Sequence, residues 1–382
     1  MTAEAEFKPG LEDVPAAKSA VSFLDGKKAR LEYRGIPVEV LAQQSNYEET
    51  AWLLIQGDLP TQKQLAEFDH DLRQRRAIHY RLKDLIRCMP ADGHPMDALH
   101  ASVAALGLFY PCPTVSDPAR NWDASLRLIA ALPTLVAAFA RTRRGEEILD
   151  PRPDLDHAAN FLYMLSGKEP TPAARKVFDA CLVLHAEHQM NASTFTARVA
   201  GSTLANPYQV IASAIGTLSG PLHGGANEEA LEQFEQIGGP ENVKAWLDAK
   251  RAADPKFKVM GLGHRVYKVK DGRATVLQEI AEHLFAETAR PKAYETALEL
   301  ERVAAGIYGP KGIYPNVDFY SGVVYQALGI PTDVFTPIFA IARVAGWLAH
   351  WHEQLVNNRI YRPEQISVGK NDVPYVPLEQ RP

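Results

Sequence analysis

The chain has 382 residues, 46% hydrophobic and 23% charged, with a net charge of −5 and a pI near 6.2. That is the make-up of an ordinary globular protein, too long for a single compact core, so two lobes with a cleft between them are expected. The mild acidity argues against nonspecific nucleic-acid binding, and three cysteines (Cys88, Cys112 and Cys181), odd in number and without CxxC spacing, argue against a disulfide framework or a zinc ribbon.

The start, MTAEAEFKPG, is acidic and polar and lacks the basic-then-apolar pattern of a secretory signal, so a reducing cytoplasm is the expected location. Strand-like alternation is confined to Ser22 to Pro37. From EETAWLLIQ onward the dominant period is helical. The apolar run LIAALPTLVAAFA, residues 128 to 140, is too short to span a bilayer and is interrupted by Pro133, so it reads as a buried helix. Leu277, Ile280, Ala281, Leu284 and Phe285 form an i, i+3, i+4, i+7, i+8 stripe with Glu279, Glu282 and Glu287 off that face. Pro60, Gly167, Gly220-Pro221 and Gly329-Ile330-Pro331 each end an apolar stretch. The expected fold is all-α with a small N-terminal β element. No Gly/Ser linker appears, so hinges must be short. The breaks at Gly220-Pro221 and Gly329-Ile330-Pro331 divide the chain into 1–221, 222–328 and 329–382.

Four segments carry groups suited to chemistry: His188 in HAEHQMNAST, His223 in GPLHGGAN, His264 in MGLGHRVYK and Asp318 in NVDFYSG. A carboxylate base with imidazoles is the minimal kit for removing a proton beside a carbonyl without a metal. His223 follows a helix break and precedes a helix start for which Asn227 is a plausible N-cap. Asp318 lies between the Pro315 break and an apolar helix, a place where an aspartate commonly serves only as an N-terminal helix charge. As a base it must be ionised when substrate arrives, so positive neighbours are expected to hold its pKa down. Gly261 and Gly263 would let a ligand approach the backbone closely, although a bare GxG is not a dinucleotide fingerprint. Arg343, in FAIARVAGW, is a guanidinium inside an apolar helix face and is costly unless a carboxylate meets it. Arg273 and Arg362, taken singly, read as solvated surface charges. His185 and His188 at i, i+3 and the HWHE run at 350–353 raise a metal reading, but no HExxH spacing is present and no metal is expected.

Taken together and in this order, GPLHGGAN, GLGHRVYK, NVDFYSG, FAIARVAGW and IYRPE closely resemble the citrate synthase family, and the likeness covers nearly the whole chain. It implies a large helical domain interrupted by a smaller one, 222–328, that closes over substrate. In the implied mechanism Asp318 takes the methyl proton of acetyl-CoA, His223 stabilises the enol and His264 polarises the ketone of oxaloacetate. His188, Arg273, Arg343 and Arg362 hold that dicarboxylate. The arginine matching Arg362 reaches the neighbouring subunit's site, which implies a homodimer. Gly261 and Gly263 would meet the adenine end of coenzyme A, here a cosubstrate and not a resident cofactor. Lys268 and Lys311 are candidates for its phosphates, with Arg141, Arg143 and Arg144 a weaker cluster. Where the family often has a proline between Asp and Arg, this chain has Asp271-Gly272-Arg273, so a looser hold on Arg273 is expected. Two alternatives stand beside this reading. A 2-methylcitrate synthase would use propionyl-CoA with the same groups, though Leu222 and ARVAGSTLANPY favour the citrate enzymes; a noncatalytic helical assembly protein would have little use for so complete a set of groups.

Overall fold

The computed structural model describes residues 7–263 and 267–382. Strands β1 (Ser22–Asp25), β2 (Arg30–Tyr33) and β3 (Ile36–Pro37) form a small antiparallel sheet in the order β1-β2-β3, with Ser22 opposite Tyr33 and Glu32 opposite Pro37. The other main regular elements are helices, as expected. In chain order come α1 (Val38–Gln44), α2 (Tyr47–Gln56), α3 (Gln62–Arg75), α4 (Tyr80–Arg87), α5 (Pro95–Phe109), α6 (Pro118–Thr142), α7 (His157–Ser166) and α8 (Pro172–His185). They are followed by α9 (Ala192–Ser202), α10 (Pro207–Leu218), α11 (Ala226–Ile237), α12 (Val243–Ala253), α13 (Gly272–Glu287), α14 (Lys292–Tyr308), α15 (Asp318–Ala327) and α16 (Phe335–Val356).

Two helices organise the core. Every residue of α16 from Phe335 to Trp351 is buried, and the helix packs on α2, α6, α8, α9 and α10. Helix α6 does not stop at Pro133. It runs for 25 residues, buried on all sides from Leu128 to Ala140, because packing from α3, α5, α7 and α16 outweighs the one hydrogen bond that proline removes. The length argument against a membrane span therefore fails for α6, since both it and the stretch containing α16 are long and apolar enough. What identifies them as core helices is that 89% and 100% of their apolar windows are buried inside the protein.

Helix ends follow local chemistry. Asn46, Asp117, Asp156, Thr171, Asn191, Asn206 and Asp271 each cap the N-terminus of the next helix through a side-chain oxygen. Gly167 and Gly57, with φ of 77° and 100°, end α7 and α2 in the left-handed conformation. The stripe foreseen at 277–285 is the buried face of α13. That helix packs on α8 and α1 as well as on α15, so its N-terminus, which carries Arg273, lies where these elements meet.

Candidate active site

His223 is set by a tight turn. After α10 the chain folds back so that His223 N–H donates to Gly220 O (2.9 Å) and Gly224 N–H to Leu218 O (3.0 Å), and a Cβ on Gly224 would collide with that same carbonyl. Asn227 is not the N-cap. Gly225 occupies that place without a side-chain cap, and Asn227 is buried within α11. The His223 ring is held through Nε2 by Ser193, with Oγ at 2.8 Å and the backbone N–H at 3.3 Å; Ser193 Oγ is in turn fixed by Trp347 Nε1 at 3.1 Å. Burial, and secondarily Arg343, push the imidazole down to about 4, so it is neutral near pH 7 and acts as a hydrogen-bonding group.

Asp318 opens α15 from a loop that is stitched to the glycine segment. Gly263 N–H donates to Tyr314 O (2.8 Å), and Asn316 donates from its backbone to Gly261 O (3.0 Å) and from Nδ2 to Gly263 O (2.9 Å). Its Oδ1 accepts from Asp318 N–H at 2.9 Å. Gly261 and Gly263 both have positive φ, 75° and 86°, and a Cβ on Gly261 would lie 2.9 Å from Phe319 Cα. The missing side chain at 261 thus admits Phe319, beside the base, before it admits any ligand. The Asp318 carboxylate accepts no hydrogen bond among the described residues. Its pKa is raised to about 6, which overturns the expectation that positive neighbours would hold it down: Arg273 and Arg343 do pull in that direction, but removal from water outweighs them.

Arg273 and Arg343 are both buried. Asp271, the cap of α13, clamps Arg273 through Nε (3.1 and 3.2 Å) and Nη2 (2.7 Å), and Arg273 Nη1 reaches Leu184 O at 3.5 Å. The solvated reading of Arg273 and the looser hold expected from Gly272 are both corrected, since the side chain is locked and a Cβ at 272 would run into the Glu39 carboxylate. Arg343 donates from Nε to His185 O (2.7 Å) and lies 4.6 Å from the centre of the Phe339 ring. Among the described residues no carboxylate lies within ion-pair distance of it, and the buried carboxylates of Glu187 and Asp318 act on its charge from farther off. His188 is buried in the turn between α8 and α9, 3.3 Å through Nε2 from Tyr267 Oη, and Tyr267 in turn lies under Arg273. His185 ends α8 and His188 lies beyond it, so they share no helix face. Among the described residues no group of three or more His, Cys, Asp or Glu is arranged to hold a metal.

These contacts join the predicted groups. Phe339 touches His223, His185 and Arg343; Arg343 and Arg273 donate to successive carbonyls at the end of α8; and both guanidiniums act on Asp318. Lys268 and Lys311 are exposed on adjoining segments, next to a cavity of about 380 Å³ lined by Phe257, Lys258, Leu262, Gly263, Tyr308 and Ile313. Arg141, Arg143 and Arg144 are not a free cluster: Glu146 pairs with the first and third, and Asp333 with the second. Arg362 is exposed beyond α16 and joins none of these contacts within the single chain. His264 lies outside the described residues. Ser193, Asn316 and Tyr267 hold predicted groups and were missed by residue-type reasoning. Ser193 stands in HAEHQMNAST, where the density of polar residues between two apolar helices was the available signal.

An all-helical fold that gathers a half-buried carboxylate, a neutral imidazole and two buried guanidiniums defines an enzyme of the acid–base type. The family model described as citrate synthase, C-terminal domain, matches residues 10–364. The citrate synthase of a Synechocystis strain is 57% identical over 381 residues, 100% of this chain and 96% of that protein, and the citrate synthase of Acidithiobacillus ferridurans is 51% identical over 386 residues, 99% of this chain and 100% of that protein. Among solved structures, citrate synthase from Thermoplasma acidophilum, in a ternary complex with carboxymethyl coenzyme A and oxaloacetate, superposes with a TM-score of 0.93 at 33% identity, covering 98% of this chain and all of that one. The Pyrobaculum aerophilum citrate synthase superposes at 0.91 with 40% identity, covering 98% of this chain and 95% of that one. The chain belongs to the citrate synthase family, and it is an acyltransferase of that family.

Proposed function

We propose that the condensation of acetyl-CoA with oxaloacetate to citrate and coenzyme A is carried out here by Asp318, His223 and His264. Asp318 removes the methyl proton, and the neutral imidazole of His223 donates a hydrogen bond to the thioester oxygen as the enol forms. His264 polarises the ketone for attack, and the citryl-CoA formed is hydrolysed. Donors aimed at charge that appears only along the reaction lower the barrier without tightening substrate binding. His188, Arg273 and Arg343 receive the dicarboxylate, with Arg362 supplied by the partner subunit of a homodimer. Gly261, Gly263, Lys268 and Lys311 receive coenzyme A, whose purine suits the apolar cavity beside Gly263. The segment 222–328 closes as a lobe over the remainder, and the enzyme works in the cytoplasm, a location in keeping with its three free cysteines.

The observation that carries this reading is Asp318 itself: a carboxylate that accepts no hydrogen bond among the described residues, under the influence of two buried arginines, poised at about 6. Its test is release of free thiol from acetyl-CoA and from propionyl-CoA, each with oxaloacetate, in EDTA-treated buffer. Preference for acetyl-CoA, lost in Asp318→Ala and indifferent to EDTA, is expected. Preference for propionyl-CoA would instead assign 2-methylcitrate synthesis, and no release from either would remove the enzyme reading.

A further inference from the structure

Glu187, the residue before His188, is fully buried, and its surroundings are built for a carboxylate. Its Oε1 accepts from Ser22 Oγ (3.0 Å) and from His350 Nε2 (3.0 Å). His350 Nδ1 accepts from Arg198 Nε (3.1 Å) and Nη2 (2.9 Å), so it carries no proton, and the ring's one N–H must point at Glu187. Arg198 is itself oriented by Gln354 (3.1 Å) and by an ion pair with Glu353, which also accepts from Ala20 N–H at 2.8 Å. The main chain of Glu187 is bonded as well, its carbonyl accepting from Tyr33 Oη (2.9 Å) and its N–H donating to the same oxygen (3.2 Å). On its remaining side the carboxylate packs on α16 at Gly346, where a Cβ would collide with it.

The loop between α8 and α9 has no regular structure, and Gln189 within it holds a φ of 50°. Such a loop keeps one shape only if other elements over-determine it. Here β1, β2 and α16 converge on the single position beside His188, and α9 stands behind them through the Arg198–His350 hydrogen bonds. We propose that Glu187 is the positioning residue for His188, and that the hydrogen-bonded line Arg198–His350–Glu187 sets the affinity of the site for oxaloacetate. Supporting groups of this kind act on a ligand-binding histidine by fixing its place, without touching the substrate. The proposal rests on the reading that His188 binds oxaloacetate.

The experiment compares KM for oxaloacetate, KM for acetyl-CoA and kcat in Glu187→Ala, His350→Ala, the double variant and Glu187→Gln, with His188→Ala as reference and circular dichroism as the check on folding. Expected is a tenfold or greater rise in KM for oxaloacetate in Glu187→Ala, His350→Ala and the double variant, with kcat and KM for acetyl-CoA within about threefold of the parent. The double variant should be no worse than the more affected single one, because both cut the same line. Glu187→Gln, which keeps an acceptor for Ser22 and His350, should recover most of the loss. If Glu187→Ala cannot be obtained folded, His350→Ala with Ser22→Ala carries the same comparison. An unchanged KM for oxaloacetate in folded variants, while His188→Ala raises it, overturns the positioning role alone. An unchanged KM in His188→Ala overturns the underlying assignment of the site and the proposal with it.

Discussion

At Asp318 two opposing effects compete, and their balance has a measurable sign. Burial raises the carboxyl, Arg273 and Arg343 lower it, and it settles at about 6, above its ordinary value of 3.8. The folded chain therefore binds this proton more tightly than the unfolded one, and the ionised base is populated only as pH rises through about 6. The initial rate with both substrates well below their KM values, which reports groups of the free enzyme, should fall about tenfold per pH unit below that point. His223 titrates only near 4 and cannot produce this limb. A flat profile down to pH 5 would show that Arg273 and Arg343, and not burial, decide the titration of this group. Asp318→Asn should lower kcat by about 10²- to 10⁴-fold, the usual worth of a positioned general base. The identity and place of this residue were legible in NVDFYSG. The direction of its shift was not, because desolvation depends on how α15 is enclosed by distant elements. The same holds for Arg343, whose need for a partner was legible while the carbonyl of His185 and the face of Phe339 that meet it were not.

Helix α15 and the glycine segment behave as one unit, since Asn316 bonds both glycine carbonyls and the N–H of the base. Gly261→Ala should break that unit. It forces a side chain into the left-handed region and against Phe319, a cost of about 1–3 kcal/mol that urea denaturation would register as a lower midpoint. Because Phe319 adjoins Asp318, kcat should fall more than either KM; a fully active, equally stable variant would show that the loop relaxes independently of the base. Helices and their ends were largely readable from sequence, since glycines and prolines end them for local reasons. Three departures stand out. Pro133 within α6 and the unwound segment after His185 each depart from their local signal because tertiary packing or buried hydrogen bonds outweigh a preference of about 1–3 kcal/mol; for the place of Asn227 inside α11 the structure shows no such compensation.

Across the molecule, the groups proposed for oxaloacetate differ in where the single chain places them. His188, Arg273 and Arg343 are buried around the end of α8, whereas Arg362 stands exposed on the segment after α16, which carries further exposed apolar residues at Ile366, Val368, Tyr375 and Leu378. In the proposed two-fold dimer each exposed tail would serve the other subunit's site. This has a genetic consequence. Arg362→Ala homodimers lack the partner's arginine at both sites, and Asp318→Asn homodimers lack the base at both, so each should be nearly inactive. A mixed dimer has one site with an intact Asp318 and with Arg362 arriving from the Asp318→Asn subunit. Equal amounts of the two variants, unfolded together and refolded, should form mixed dimers about half the time with one working site in two, recovering about a quarter of the parent activity. If Arg362 served its own chain, every mixed dimer would contain two defective sites and activity would stay at the level of the separate variants.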